Sequence, residues 1–140
     1  MKKILFTIIT IFTTLAASAQ FSAMTTLLIH EENSELNMEG MTDNIKDNIG
    51  IGYEINENIK IGAVKNGEDF ELFTRYYIEN IYVSLQVPTD DMYEDMKWGF
   101  GYSYNIWDNL YIEPNYSIST KEDENGEING DIAIGISYKF

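Results

Sequence analysis

Apolar and polar residues alternate along most of this chain. The clearest example is Gly130–Phe140, G-D-I-A-I-G-I-S-Y-K-F, where isoleucine and aromatic residues occupy every second position up to Phe140. Since successive side chains of a β-strand point to opposite faces, this segment predicts a strand with an apolar face and a face of small or charged residues. β-Branched and aromatic residues also dominate the chain before it, from residue 20 onward, so the pattern predicts an all-β protein.

Eight segments with this alternation predict eight strands. They are Gln20–His30, Asn48–Ile55, Asn58–Lys65, Glu68–Tyr77, Asn80–Val87, Asp95–Tyr104, Leu110–Ser119 and Gly130–Phe140. Three short connections, Asn56-Glu57, Ile78-Glu79 and Asn105–Asn109, would lie at the same end as both termini. Three longer acidic connections, Glu31–Asp47, Pro88–Glu94 and Thr120–Asn129, would lie at the other end. The fourth connection at that end, Asn66-Gly67, has the dipeptide favoured by type I′ hairpin turns. We therefore predict an eight-stranded antiparallel up-and-down β-barrel.

The composition of the two strand faces indicates which one lies inside. One face is apolar, with residues such as Ile51, Leu72, Val83, Phe100 and Ile134. The opposite face combines small residues with charges of both signs: Gly50, Gly52, Gly62, Ser84, Gly99, Gly101, Ser103, Ser117, Ala133 and Gly135, with Glu54, Lys60, Glu71, Arg75, Lys97, Glu113 and Lys139. Glycine weakens a strand unless the space requires it, and the narrow interior of an eight-stranded barrel is such a space. The charged residues could then pair across the lumen, while the apolar face would contact lipid in a transmembrane barrel.

A soluble alternative stays open. A lipocalin-like barrel also alternates, but its apolar face lies inside, where it binds a small apolar ligand. The aromatic residues favour the membrane interpretation, because interfacial girdles place aromatic side chains near strand ends. The residues concerned are Trp98, Tyr104, Trp107, Tyr116, Tyr138 and Phe140. Five residues fit the scheme badly: Met24, Leu28, Phe73 and Tyr77 fall on the lumen face, and Pro114 lies within a strand.

The beginning of the chain is typical of a secretory signal peptide. Met1-Lys2-Lys3 is basic, Ile4–Leu15 is apolar apart from threonines, and Ala17-Ser18-Ala19 is a small-x-small cleavage site. We expect residues 1–19 to be removed, leaving residues 20–140 as one barrel domain. The formal charge would change from −14 to −16, since the removed segment has two lysines and no acid. Such acidity argues against nucleic acid as a partner, because binding phosphates requires clustered Lys and Arg.

The candidate chemistry lies in the predicted loops and is weak. The acidic residues there could recruit divalent cations through carboxylate oxygens, although no loop has EF-hand spacing, and a solvated acidic surface is the simpler interpretation. They are Glu31, Glu32, Glu35, Glu39, Asp43, Asp47, Asp90, Asp91, Glu94, Asp95, Glu122, Asp123, Glu124 and Glu127. The single histidine, His30, precedes Glu31, Glu32 and Ser34, but no nucleophile motif accompanies it. The chain has no cysteine, which excludes disulfides and thiolate chemistry. We expect no enzyme, no cofactor and no dedicated metal site.

The chain resembles the small eight-stranded outer-membrane barrels of the OmpX and OmpA transmembrane-domain type, which are found among small porin-like proteins. The resemblance rests on Gly99–Tyr104, the polar turn to Asn109, Leu110–Pro114 and the terminal Ser137–Phe140. It implies the outer membrane of a Gram-negative bacterium, contact with outer-membrane lipid, and recognition of the C-terminal strand by the barrel-insertion machinery. It implies no single activity. A structural or surface-interaction role with a filled lumen is our main expectation. The soluble ligand-binding barrel and, less favoured, a lipid-modifying enzyme using His30 are the alternatives.

Overall fold

The chain forms a closed antiparallel β-barrel. The computed structural model describes residues 20–28, 45–90, 95–122 and 124–140. Its strand segments are β1 (Phe21–Leu28), β2 (Ile49–Glu54), β3 (Ile59–Asn66), β4 (Asp69–Ile78), β5 (Ile81–Pro88), β6 (Lys97–Tyr102), β7 (Tyr104–Trp107), β8 (Leu110–Glu122) and β9 (Ile128–Lys139). Each segment pairs with the next along the chain except β6, which pairs with β8, and β9 pairs with β1 from Ser22–Lys139 to Leu28–Ala133, which closes the sheet.

β6 and β7 are two halves of one barrel strand, so the nine segments make the eight strands predicted. Both halves pair with β8 in one continuous register, from Lys97–Ser119 through Gly101–Asn115 to Tyr104–Ile112. The up-and-down meander is therefore confirmed. Residues 1–19 lie outside the described part of the chain, so the signal peptide stays a prediction. In the described residues, helix is confined to 45–47, and no helix there could span a membrane.

Pro114 explains why this strand is interrupted at Ser103. Thr120 N donates to Met96 O at 2.8 Å, and hydrogen-bonded pairs recur at every second position of an antiparallel ladder. Tyr102 and Pro114 therefore face each other as a hydrogen-bonded pair, in which the N–H of each residue should donate to the C=O of the other. Because proline has no N–H, the carbonyl of Tyr102 loses that bond. The chain accommodates Pro114 by this local break, while the register shift between β7 and β8 lies further on, between Asn105 and Trp107.

The turns differ in detail from the prediction. The connection after β3 is tight as expected, but its central residues are Gly67-Glu68, since Asn66 pairs with Asp69. Gly67 has φ +64°, and no positive φ occurs at Asn66 or Glu68, so the turn has the φ pattern of type II′ rather than type I′. The side-chain amide of Asn66 also donates to Glu71 of the next strand at 2.6 Å.

Two predicted connections are shorter than expected because the strands extend into them. The segment Asn105–Trp107 belongs to β7, leaving Asp108-Asn109 as the turn, with Asp108 at φ +46°. β8 continues to Glu122 and β9 begins at Ile128, so that connection covers residues 123–127 only.

The apolar face lies outside and the small and charged face lies inside, as the alternation predicted. Nine large apolar side chains along the wall are 51–58% exposed: Ile49, Ile51, Phe70, Leu72, Ile81, Val83, Trp98, Phe100 and Ile132. Inside, Glu71 and Glu113 are buried, and so are Met24, Phe73 and Tyr82. The bulky lumen residues that fitted the scheme badly are thus part of the interior packing. The side chain of Leu28 lies outside the described residues.

Lumen glycines face the large interior side chains across adjacent strands. Gly62 pairs with Phe73, and Gly101 pairs with Tyr82. A Cβ atom at Gly101 would lie 2.5 Å from the Tyr82 ring, and one at Gly62 would lie 2.6 Å from the Phe73 ring. At Gly101 the partner ring occupies the space of a side chain, and at Gly62 the Phe73 ring and the backbone carbonyl of Ile51 both occupy it.

Candidate functional site

The polar lumen is the part of the described structure that brings chemically active side chains together. Its central layer is built on the ion pair between Arg75 of β4 and Glu113 of β8, whose Nη1 and Oε2 atoms are 2.7 Å apart. The hydroxyl of Ser103 donates to the other oxygen of Glu113 at 3.0 Å. The Arg75 guanidinium lies 4.5 Å from the ring centroid of Tyr82 and 5.3 Å from that of Phe73. Both carboxylate oxygens are therefore engaged by the protein, and the guanidinium lies close to two aromatic rings.

A second layer lies nearer the long connections. Glu71 accepts from Lys97 at 3.1 Å and from the side-chain amides of Asn66 and Gln86. The Glu71 side chain is 7% exposed. Three donors from three different strands satisfy this buried carboxylate, as a buried charge requires.

A third layer lies nearer the short turns and the termini. Glu54 of β2 is shared by two ammonium groups, Lys60 of β3 at 3.5 Å and Lys139 of β9 at 2.8 Å. Lys60 also lies 5.4 Å from the ring centroid of Tyr77. Unlike the central pair, this layer carries one more cation than carboxylate.

The central layer separates two small cavities. One, of about 170 Å³, opens toward the short turns; we call it the turn-end cavity, and it is lined by Ser22, Glu54, Lys60, Ser137 and Lys139, among others. The other, of about 100 Å³, lies on the side of the long connections and is lined by residues such as Asn66, Lys97 and Asp131. Between them Tyr82 and Glu113 are each 1% exposed. The middle of the lumen is thus filled by side chains.

The prediction that interior charges pair with each other is confirmed for Glu54, Lys60, Glu71, Arg75, Lys97, Glu113 and Lys139. The alternation of the last strand placed Ser137 on the small and charged face, and the structure confirms that it lines the lumen. Sequence reasoning missed Ser22 and Tyr82, which also line the lumen. Tyr82 lies between the outward Ile81 and Val83, so the alternation carried a signal for it. Ser22 lies within the first predicted strand, whose alternation is the least regular, and gave little signal.

The predicted loop chemistry falls mostly outside the described residues. This applies to His30, Glu31, Glu32, Ser34, Glu35, Glu39, Asp43, Asp91, Glu94 and Asp123. Of the acidic residues that are described, Asp47 pairs with Lys65 at 3.4 Å and Asp95 accepts from the Ser119 hydroxyl. No cluster of three or more potential metal ligands occurs among the residues that the structure describes. The hypotheses of divalent-cation binding by the acidic loops and of catalysis by His30 therefore stay predictions.

Comparison with protein-family models, with curated proteins and with solved structures finds no match to this chain.

Proposed function

We propose that the protein is a small integral outer-membrane β-barrel with a structural or surface-interaction role. The observation that carries this proposal is the outer wall, where large apolar side chains from every strand segment except β1 are about half exposed. Soluble monomers rarely expose a contiguous apolar patch larger than a few hundred Å². A wall that is apolar outside and polar inside is the arrangement of membrane barrels. A lipocalin-like ligand-binding barrel would need the opposite arrangement.

The distribution of aromatic residues supports the same proposal. A band of outward aromatic side chains follows the strand ends near the short turns: Tyr76, Tyr102, Tyr104, Trp107, Tyr138 and Phe140 are 42–78% exposed. Phe21 and Tyr53 extend the band, with ring centroids 5.1 Å apart. Aromatic rings of this kind anchor barrels at the membrane–water interface. Trp98 lies near the opposite end as predicted, whereas Tyr116 lies at the middle of β8 and belongs to the wall.

The filled lumen favours a role that does not involve bulk solute transport. Tyr82, Arg75 and Glu113 occupy the middle of the lumen, and an eight-stranded barrel has just enough interior volume for its own side chains. The proposed partners are outer-membrane lipid along the wall and the barrel-insertion machinery at β9. The acidic connections would face the cell exterior, where they would contact the environment and possible divalent cations. The proposed role is not enzymatic.

Folding with and without detergent tests this proposal. Residues 20–140 would be refolded in buffer and in micelles, and boiled and unboiled samples compared by gel mobility. We expect a mobility shift with micelles only. Folding in plain buffer would overturn the proposal and make a ligand search the next step.

A charged substitution on the wall adds a second test. Leu72 is 51% exposed near the middle of the β3–β4 hairpin. Leu72→Arg should cost about 2–4 kcal/mol if this position lies at the bilayer midplane. At a water-exposed position the same change costs less than about 0.5 kcal/mol. Glu68→Arg, in the exposed turn of the same hairpin, is the control and should have little effect.

A further inference from the structure

The turn-end cavity is a small polar chamber with a closed inner end. Its volume is about 170 Å³, which is room for a small ion with several water molecules, since one water in the liquid takes about 30 Å³. The central layer around Glu113 closes it on the inside, and the short turns leave it open to solvent through Asn56 and Asn80. A solute could therefore enter from the turn end without crossing the barrel.

Four carboxylates, Glu54, Glu57, Glu79 and Glu113, line this cavity beside two lysines, but the inner two carboxylates are engaged by cations while the lysines retain N–H donors. Each oxygen of Glu54 is already paired, Oε1 with Lys60 and Oε2 with Lys139. Both oxygens of Glu113 are also engaged, by Arg75 and by Ser103. Each ammonium group has three N–H donors, of which Glu54 takes one, so each lysine retains two. The charge shared by Lys60, Lys139 and Glu54 is +1, while Glu113 is balanced by Arg75.

Ser22 provides an independent indication of a ligand. Its side chain lines the cavity and is 1% exposed, and its hydroxyl has no hydrogen-bond partner among the described residues. A buried hydroxyl without a partner costs free energy, so such groups in folded proteins usually have a ligand, ion or water bound to them. Ser137, which is 2% exposed, lies on the neighbouring strand and lines the same cavity.

We propose that the turn-end cavity binds a small oxyanion of the size of inorganic phosphate. Lys60 and Lys139 supply the charge and the N–H donors, and the hydroxyls of Ser22 and Ser137 donate to the remaining oxygens. Two exposed carboxylates, Glu57 and Glu79, lie at the mouth. They oppose the approach of an anion, but salt screens exposed charges strongly. Neutralising one of them by Glu57→Gln should therefore raise the affinity at low salt.

The experiment uses the folded protein in zwitterionic micelles and inorganic phosphate as the probe. Phosphate is titrated against chloride at constant ionic strength, and backbone amide resonances are followed by NMR. We expect saturable shifts concentrated at residues 22, 60, 137 and 139. No saturable change, or shifts spread evenly over the barrel, would overturn the proposal.

Matched variants separate ligand binding from folding. Ser22→Ala removes a hydroxyl that has no partner in the free protein, so the urea midpoint without phosphate should not fall, while phosphate affinity falls about tenfold or more. Lys60→Met should weaken binding at least as much. Lys97→Met removes a lumen lysine outside the cavity and should leave the affinity unchanged. Equal losses for Lys60→Met and Lys97→Met, or unchanged affinity in Ser22→Ala, would contradict the assigned site.

Discussion

Breaking the Arg75–Glu113 ion pair should destabilise the barrel far more than breaking a pair at its surface. The Glu113 side chain is 1% exposed and that of Arg75 is 12% exposed. Glu113→Gln retains the shape of the side chain but leaves the Arg75 charge buried without its counterion. Arg75→Met likewise leaves the Glu113 charge buried without its counterion. Each change should cost about 3–5 kcal/mol of unfolding free energy. The double variant should lose less than the sum, because the second change removes the charge that the first left unpaired.

Lys65→Met is the matched control for this prediction. The Lys65–Asp47 pair is 37% and 54% exposed, and exposed pairs contribute about 0–1 kcal/mol. The free energy of unfolding would be measured by urea titration of the folded barrel, with the fluorescence of Trp98 and Trp107 as the signal. Two results would refute the reasoning. One is a loss in Glu113→Gln no larger than in Lys65→Met, and the other is a double variant that loses the full sum.

Three further changes test the packing and the backbone. Gly101→Trp should prevent barrel closure, because even a Cβ at this position would lie 2.5 Å from the Tyr82 ring. The readout is loss of the gel mobility shift, and a variant that still folds would contradict the prediction. Gly67→Val should lower the free energy of unfolding in urea titration by about 1–2 kcal/mol, because Gly67 has φ +64°. No atom lies within 4 Å of an added Cβ, so the loss would come from the backbone and not from a clash. Gly67→Asn should cost less, because asparagine tolerates positive φ better. Pro114→Ala should supply the missing N–H donor to the Tyr102 carbonyl, so the amide hydrogen at position 114 should exchange slowly in D₂O. Fast exchange would refute the assignment of Tyr102 and Pro114 as a hydrogen-bonded pair.

The barrel and the orientation of its faces could be predicted because alternation is a local property of a strand. Once Ile51, Val83 and Ile134 are assigned to one face, the pleat places Glu54, Ser84 and Gly135 on the other. The glycines then indicate which face is inside, since only a crowded interior explains them. Nothing in this reasoning requires knowledge of which strand residues face each other.

The lumen contacts could not be predicted because they depend on register between distant segments. Arg75 and Glu113 are 38 residues apart, and no local pattern selects Glu113 rather than Glu71 or Glu54 as its partner. Phe73 looked misplaced on a polar face until its pairing with Gly62 was known. The turn at Gly67 was assigned one residue too early for a related reason: Asn66 pairs with Asp69 across the hairpin, and no local pattern shows that pairing.

The connectivity of the buried charges has a consequence for the order of events during folding. Arg75 lies on β4 and Glu113 on β8, and Lys139 on the last strand reaches Glu54 on β2. The Lys139–Glu54 contact cannot form until β9 has paired with β1, because β1 lies between β9 and β2 in the sheet, and this pairing closes the longest loop of the chain. Interactions that are absent from the transition state act on the rate of unfolding rather than the rate of folding. The Lys139–Glu54 contact would therefore contribute little to how fast the barrel assembles and much to how long it lasts once assembled.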